Sequence, residues 1–317
     1  MTIFTLEPTQ EHLVGCFSRG HSPILTVDPG DTVRYRTLDA GWGLEPLVTF
    51  EIPRKKLEPR HGESDSGHCL VGPVAIRGAV PGHTLAIEIG TIIPGSYGFT
   101  LAGGWDHPIN RHFNMGEGAD ERIHTWTLDP ATMTGRNQHG HTVALKPFMG
   151  VMGVAPSELG QHPTPPPRKW GGNLDCKLLT SGSTLFLPIG VEGALFYTGD
   201  GHAVQGDGEV SVTAIECPME RVDLTFHLRE DMPLERPRAS TPEGWVTFGL
   251  HEDLNQATWQ ALDDMLGLMQ SLLKVDMRDA LALASLVVDL RITQIANGVN
   301  ANGVNGVHAV LPHGAVQ

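Results

Sequence analysis

Basic residues are scarce in this chain. Lys and Arg number 22 against 36 Asp and Glu, for a net charge of −14. Nucleic acids and anionic membrane surfaces both call for a basic face, so neither is an expected partner. Long apolar runs are missing as well, and none approaches the ~20 residues that a membrane-spanning helix needs. The opening stretch, MTIFTLEPTQEH, has no basic segment followed by an apolar one, so no secretory signal is expected. The four cysteines, at 16, 69, 176 and 217, form no CxxC pair. They read as reduced, buried thiols of a cytoplasmic protein. Compact catalytic motifs are also lacking: there is no HExxH, and no Gly-Ser-Ser run of the kind that marks a serine amidase.

What the chain does have is turns. It holds 38 glycines and 23 prolines among 317 residues, with no fixed period. That pattern suits many short strands joined by tight turns. "PILTVDPGDTVRYRTLD" reads as strand, Pro-Gly turn, strand, with Val33, Tyr35 and Thr37 alternating against Arg34 and Arg36. "GPVAIRGAVPGHTLAIEIG" repeats that grammar, with Leu85, Ile87 and Ile89 on one side. Helical spacing emerges late, in "HEDLNQATWQALDDMLGLMQSLLKVD" and in "DMRDALALASLVVDL", where Asp276 is the expected N-cap. The fold class expected is mainly β: an antiparallel sandwich or barrel-like body with a C-terminal helical hairpin at about 252–290. Two regions are expected, 1–170 and 171–317. The first holds an irregular, Gly-, His- and Trp-rich loop at about 95–138. A last short strand, Val307 to Leu311, follows Gly/Asn-rich turn text.

The densest chemistry lies in "GGNLDCKLLTSGSTLFLPIGVEGALFYTGDGHAVQGDGEV", Gly171 to Val210. Asp200, Asp207 and Glu209 crowd around His202 between glycines. Asp200 and His202 are two apart, so an extended backbone points both the same way. Carboxylates with a histidine at strand ends suit a divalent cation. The competing readings are ordinary Asp-Gly hairpin turns and a surface histidine. Cys176 beside Lys177 is a rival nucleophile, weakened because neighbours on an extended chain face opposite ways. A strand is expected to begin at Glu209, which would place Glu216 on its opposite face.

The same block resembles the signature region of the acetamidase/formamidase family. Gly171 to Asp175, Gly193 to Phe196, Gly199 to His202, Gly206 to Glu209 and Thr213 to Glu216 match that pattern in order and spacing. So do the His68 to Pro73 stretch, "PFMGVMGVAP" and the closing "GVHAVLP". His83 and Glu192 depart from it, standing where the family usually has Asp and Pro. The resemblance implies hydrolysis of a short aliphatic amide, of the formamide or acetamide type, to a carboxylate and ammonia, by water activated at a divalent metal. It implies a metal near the acidic block; the expected ligands are His68, Asp175 and His202, with Asp200, Glu209 or Glu216 as a further ligand or behind them, and the expected base is Glu209, before Asp200 and Glu216. Zinc suits two imidazoles and a carboxylate, and calcium would suit an oxygen-only subset. Asn173, Tyr97, Trp105 and His107 are the expected substrate contacts. A small amide is the expected partner, with a homo-oligomer as the assembly. The alternative is a non-catalytic β module with a structural cation in its acidic loops.

Overall fold

The computed structural model describes residues 1–58, 65–296 and 303–316. The protein is mainly β, with helices only as small additions. A nine-stranded sheet runs in the order Ile3–Leu6, Thr32–Thr37, Met219–Arg229, Thr84–Pro94, Thr184–Pro188, Arg238–Ser240, Gly244–His251, Asn305–Pro312, Asp289–Gln294. A six-stranded sheet is centred on Phe196–His202, between Phe148–Val154 and Leu70–Ile76. Nearly all pairings are antiparallel. Ile3–Leu6 with Thr32–Thr37, and Leu25–Val27 with Leu70–Ile76, run parallel.

The two large sheets close over one core. Val33 and Tyr35, Leu85 and Ile87, and Val222 and Phe226 point into it from the first sheet, and Val71, Val74, Met149 and Phe196 from the second. Phe196 meets Phe226 edge-on across the gap at 5.1 Å between ring centres. Burying side chains of this size stabilises by about 1.5–3 kcal/mol each. The alternation in "TVRYRT" is borne out, since Val33, Tyr35 and Thr37 are buried and Arg36 is exposed.

The two Pro-Gly turns do not close hairpins, as the sequence suggested. Leu25–Val27 and Leu70–Ile76 belong to the six-stranded sheet, whereas Thr32–Thr37 and Thr84–Pro94 belong to the nine-stranded one. Each turn therefore carries the chain across the sandwich. Gly30 and Gly82 both sit at φ +92°, the conformation that a type II turn after proline requires. The segment 95–138 is also not irregular. It holds Tyr97–Ala102, Arg122–Asp129 and Thr134–Asn137, which with Thr142–Ala144 make a four-stranded sheet, and a short helix, Pro108–His112. One face packs on the core, with Trp126 and Leu128 buried opposite Asn137 and Gly135, but the alternation is confined to these short stretches.

The helical hairpin comprises Leu254–Leu273 and Met277–Val287. Asp253 and Asp276 cap the two helices through backbone N–H groups. Met265, Leu266 and Met269 pack with Ala280, Ala284 and Val307 in a second apolar cluster. Asn305–Pro312 returns between Gly244–His251 and Asp289–Gln294. The Gly/Asn-rich text before it lies largely outside the described residues. Among the described residues no helix is long and apolar enough to cross a membrane.

Candidate active site

The strand Phe196–His202 delivers the first two groups. Asp200 and His202 share one side of it, and His202 Nε2 lies 3.4 Å from Asp200 Oδ1. Phe148 on the neighbouring strand packs edge-on against the His202 ring, with centres 5.1 Å apart. Asp175 comes from the loop after Gly171–Asn173, and its N–H reaches Gly150 O at 3.3 Å. Glu216 is tied by backbone bridges to both Phe99 and His202, which sets Glu216 Oε1 3.4 Å from His202 Nε2.

The chain from Glu209 is not a strand. Gly208 pairs with Gln294, Val212 N–H bonds back to Glu209 O, and Glu209 and Val212 take φ values of 45° and 71°. The segment therefore folds back on itself. Glu209 and Glu216, expected on opposite faces, converge on the same imidazole.

Two overlapping groups result: Asp175, Asp200 and His202, and His202, Glu209 and Glu216. In each, one ligand atom per residue lies within 4.8 Å of the others. All five residues are buried. The carboxyls fall into two close pairs, Asp175 with Glu209 and Asp200 with Glu216, each placed to share a hydrogen bond when one member is protonated. Two carboxylates cannot share a bond in this way without a proton or another cation between them. Burial pushes the Asp175 and Glu209 carboxyls well above the usual range; the charge of Asp175 raises Glu209 further, and those of Asp200 and Glu216 raise Asp175. Burial also raises Glu216, against the pull of His202. Asp200 is the exception: burial opposes its ionisation, but His202 and then His68 hold its carboxyl below the ordinary value. Burial would lower the His202 pKa, yet Glu216 and Asp200 overcome it and hold the ring protonated well above its usual range.

Backbone strain concentrates here. Asp175 (φ 49°), Asp200 (φ 59°) and Glu209 (φ 45°) all take the left-handed conformation, at about 1–3 kcal/mol each. Room for the cluster comes from Gly150. A methyl group there would stand 2.6 Å from Asp200 Oδ2, 2.8 Å from His202 Cε1 and 2.9 Å from Asp175 Oδ1.

The other expected residues are more dispersed. His68 stands just before Leu70–Ile76, its N–H donating to Thr164 Oγ1. It lines a cavity of about 320 Å³ with Trp42, Lys56, Ser66 and Pro165. Its Nδ1 is buried with no hydrogen-bond partner among the described residues. His68 belongs to neither group of three, although its charge reaches Asp200. Asn173 donates to Pro165 O at 3.0 Å, and its Oδ1 is buried with no partner among the described residues. Tyr97 begins its strand half-buried, and burial raises its phenol. The Trp105 carbonyl accepts from Asn110. Both ring nitrogens of His107 are engaged, with Ile109 N–H as a helix cap and with Ala296 O. A second cavity, about 550 Å³ beside Lys169, Trp170 and Arg236, holds none of the site acids.

Cys176 is fully buried, and burial pushes its thiol up to about 12, so it is no nucleophile at neutral pH. Lys177 pairs instead with Asp207 at 2.9 Å, which takes Asp207 out of the cluster. Sequence reasoning missed Gly150, inside the quoted "PFMGVMGVAP", and Gln205, three residues after His202, whose Oε1 lies 2.9 Å from His202 Nδ1.

The profile of the acetamidase/formamidase family matches residues 7–162 and 159–304. The chain belongs to the acetamidase/formamidase family. An acetamidase of Mycolicibacterium smegmatis is 28% identical, over 58% of this chain and 62% of its own length. A formamidase of Methylophilus methylotrophus is 27% identical, over 59% and 57%. The chain thus spans less than two thirds of either curated relative. The crystal structure of an acetamidase from Bacillus halodurans superimposes with a TM-score of 0.82 at 25% identity, covering 98% of this chain and 97% of that one.

Proposed function

We propose that this acetamidase/formamidase family member hydrolyses a short aliphatic amide, of the formamide or acetamide type, to a carboxylate and ammonia. The observation that carries the reading is the convergence of four buried carboxyls and one imidazole beneath Gly150. A divalent cation fits this donor set. Glu216 Oε2 is buried with no hydrogen-bond partner among the described residues, and the two carboxyl pairs need positive charge between them to ionise. Asp175, Asp200 and His202 would hold the cation, with Glu216 beside them and His68 on the cavity side. One imidazole with carboxylates favours zinc over the oxygen-only sites of calcium. When bound, the cation supplies Lewis acidity, lowering the pKa of a water, polarising the amide carbonyl and drawing protons from the carboxyls around it.

Glu209 then acts as the base. It accepts the proton of the water that attacks the carbonyl carbon, and returns that proton to the departing nitrogen as the C–N bond breaks. The strained turn at Gly208 holds its carboxyl against Asp175. Asn173 Oδ1 is an acceptor suited to an amide N–H, and the cavity at His68 and Trp42 is the approach for a small substrate. Ammonia release over a series of amides, with and without chelation, tests the reading. Metal-dependent turnover of formamide or acetamide is expected. Turnover of only long or aryl amides would overturn it.

A further inference from the structure

Gln205 is buried and touches two of the ligand-bearing segments at once. Its Nε2 donates to the backbone carbonyl of Asp175 at 2.8 Å, and its Oε1 stands 2.9 Å from His202 Nδ1. A carbonyl can only accept, so the amide nitrogen must face Asp175. Oε1 must then face His202, and Nδ1 must carry the hydrogen. The Asp175 backbone thereby fixes the orientation of the His202 ring through one side chain. Nε2, with its lone pair once that nitrogen is deprotonated, is left facing Asp200 and Glu216.

We propose that Gln205 is a positioning residue of the metal centre: it locks His202 with Nδ1 protonated and Nε2 presented to the cation, and holds the Asp175 loop at a fixed distance from that ring. The proposal rests on the metal reading above. Asp175 needs such an anchor because its left-handed backbone is strained, and because no strand continues past Asn173 to hold it. His202 needs one because it ends its strand. Partners in this role set tautomer and ring direction, and their loss typically costs 10–100-fold in metal affinity.

The test uses the full chain, loaded with Zn²⁺ alone, and three variants. Gln205→Leu removes both bonds, Gln205→Asn is too short to span both partners, and Gln205→Glu keeps an acceptor for Nδ1–H. Zinc release to a chelator is timed. The slowly exchanging Nδ1–H signal of His202 is followed by ¹H–¹⁵N NMR in the zinc-loaded and metal-free protein. Gln205→Leu is expected to keep its circular dichroism spectrum, lose that ring signal and release zinc at least ~10-fold faster. Gln205→Glu is expected to restore the ring signal and slow the release. If Gln205→Leu does not fold, the same faster release is expected of Gln205→Asn. A folded Leu or Asn variant that keeps the ring signal, or releases zinc at the wild-type rate, overturns the proposal. Wild-type protein that takes up no zinc overturns the metal reading instead, and the metal-free ring signal still shows whether Gln205 orients His202.

Discussion

Glu209 and Gly150 show how much a single position carries here. Glu209 reaches the cluster from a turn, at a φ that few side chains adopt, and its carboxyl bonds to Asp175 rather than capping backbone N–H groups. Glu209→Gln is nearly isosteric, so the fold and most of the bound zinc should survive while amide turnover falls at least ~100-fold. Near-normal ammonia release would shift the role of base to Glu216 or Asp200. Gly150 makes the converse argument, because its importance is the absence of a side chain. Gly150→Ala would place a methyl group under 3 Å from three ligand-bearing side chains, closer than carbon sits to any of them without displacement. The expected result is a folded protein with at least ~10-fold weaker zinc retention, read by elemental analysis after dialysis. Full zinc occupancy would mean that the cation sits elsewhere.

At the scale of elements, the C-terminal strands do more than extend the sheet. The end of Asp289–Gln294 accepts the Gly208 turn through a bridge at Gln294, and Gly208 N–H donates to Thr293 O. Ala296 O receives His107 from the four-stranded sheet's side. A strand well beyond the signature block in sequence thus holds the turn that carries Glu209. Its stability has a pH signature. His308, on the adjoining strand Asn305–Pro312, is fully buried beside Thr293, and burial pushes its pKa down to about 4 from 6.5. The unfolded chain binds that proton throughout this window and the folded chain does not. Stability from this group is therefore lost as pH falls from 6.5 to 4, by about 3 kcal/mol in all. His308→Phe should flatten the decline of chemical denaturation midpoints over that range, and an unchanged slope would exclude His308 as its source. The strands themselves were legible where one face is buried, as in "TVRYRT". The four-stranded sheet was not, because its buried alternation is limited to short stretches such as Trp126 and Leu128. The 209–216 segment misled for a different reason: "EVSVTAIE" alternates like a strand, but Val212 N–H turns back to Glu209 O, and its flanks are held by partners remote in sequence, Gly208 by Thr293, Glu216 by Phe99 and Cys217 by Gly201. Asp200 and His202 were legible from their spacing. Gln205 and Gly150 were not, since nothing local marks an amide or a glycine whose neighbours come from other strands.

For the molecule as a whole, the buried acid cluster couples stability to the cation. In chelated protein, Asp175 and Glu209 keep folded pKa values well above their ordinary 3.8 and 4.5, chiefly through burial. His202 is held above 6.5 by Glu216 and Asp200, which together outweigh its burial. Above the ordinary carboxyl range, the folded state therefore binds more protons than the unfolded one. The sign is fixed: the contribution of these groups is present at low pH and is lost as pH rises through their raised folded values. Asp200 has the opposite sign, but its window lies below 3.8 and does not reach the working range. On the proposed metal reading, zinc would reverse the balance. Its binding would displace those protons, so its affinity would increase with pH, and a ligand that binds only the folded state adds stability in proportion to the logarithm of its excess over Kd. The His308 slope is common to both forms and cancels in their difference. The gap in melting temperature between zinc-loaded and chelated protein should therefore widen from pH 5.5 to pH 7.5, and differential scanning calorimetry of the two forms measures it. A gap that stays constant or narrows would mean that the cation does not bind at this buried cluster.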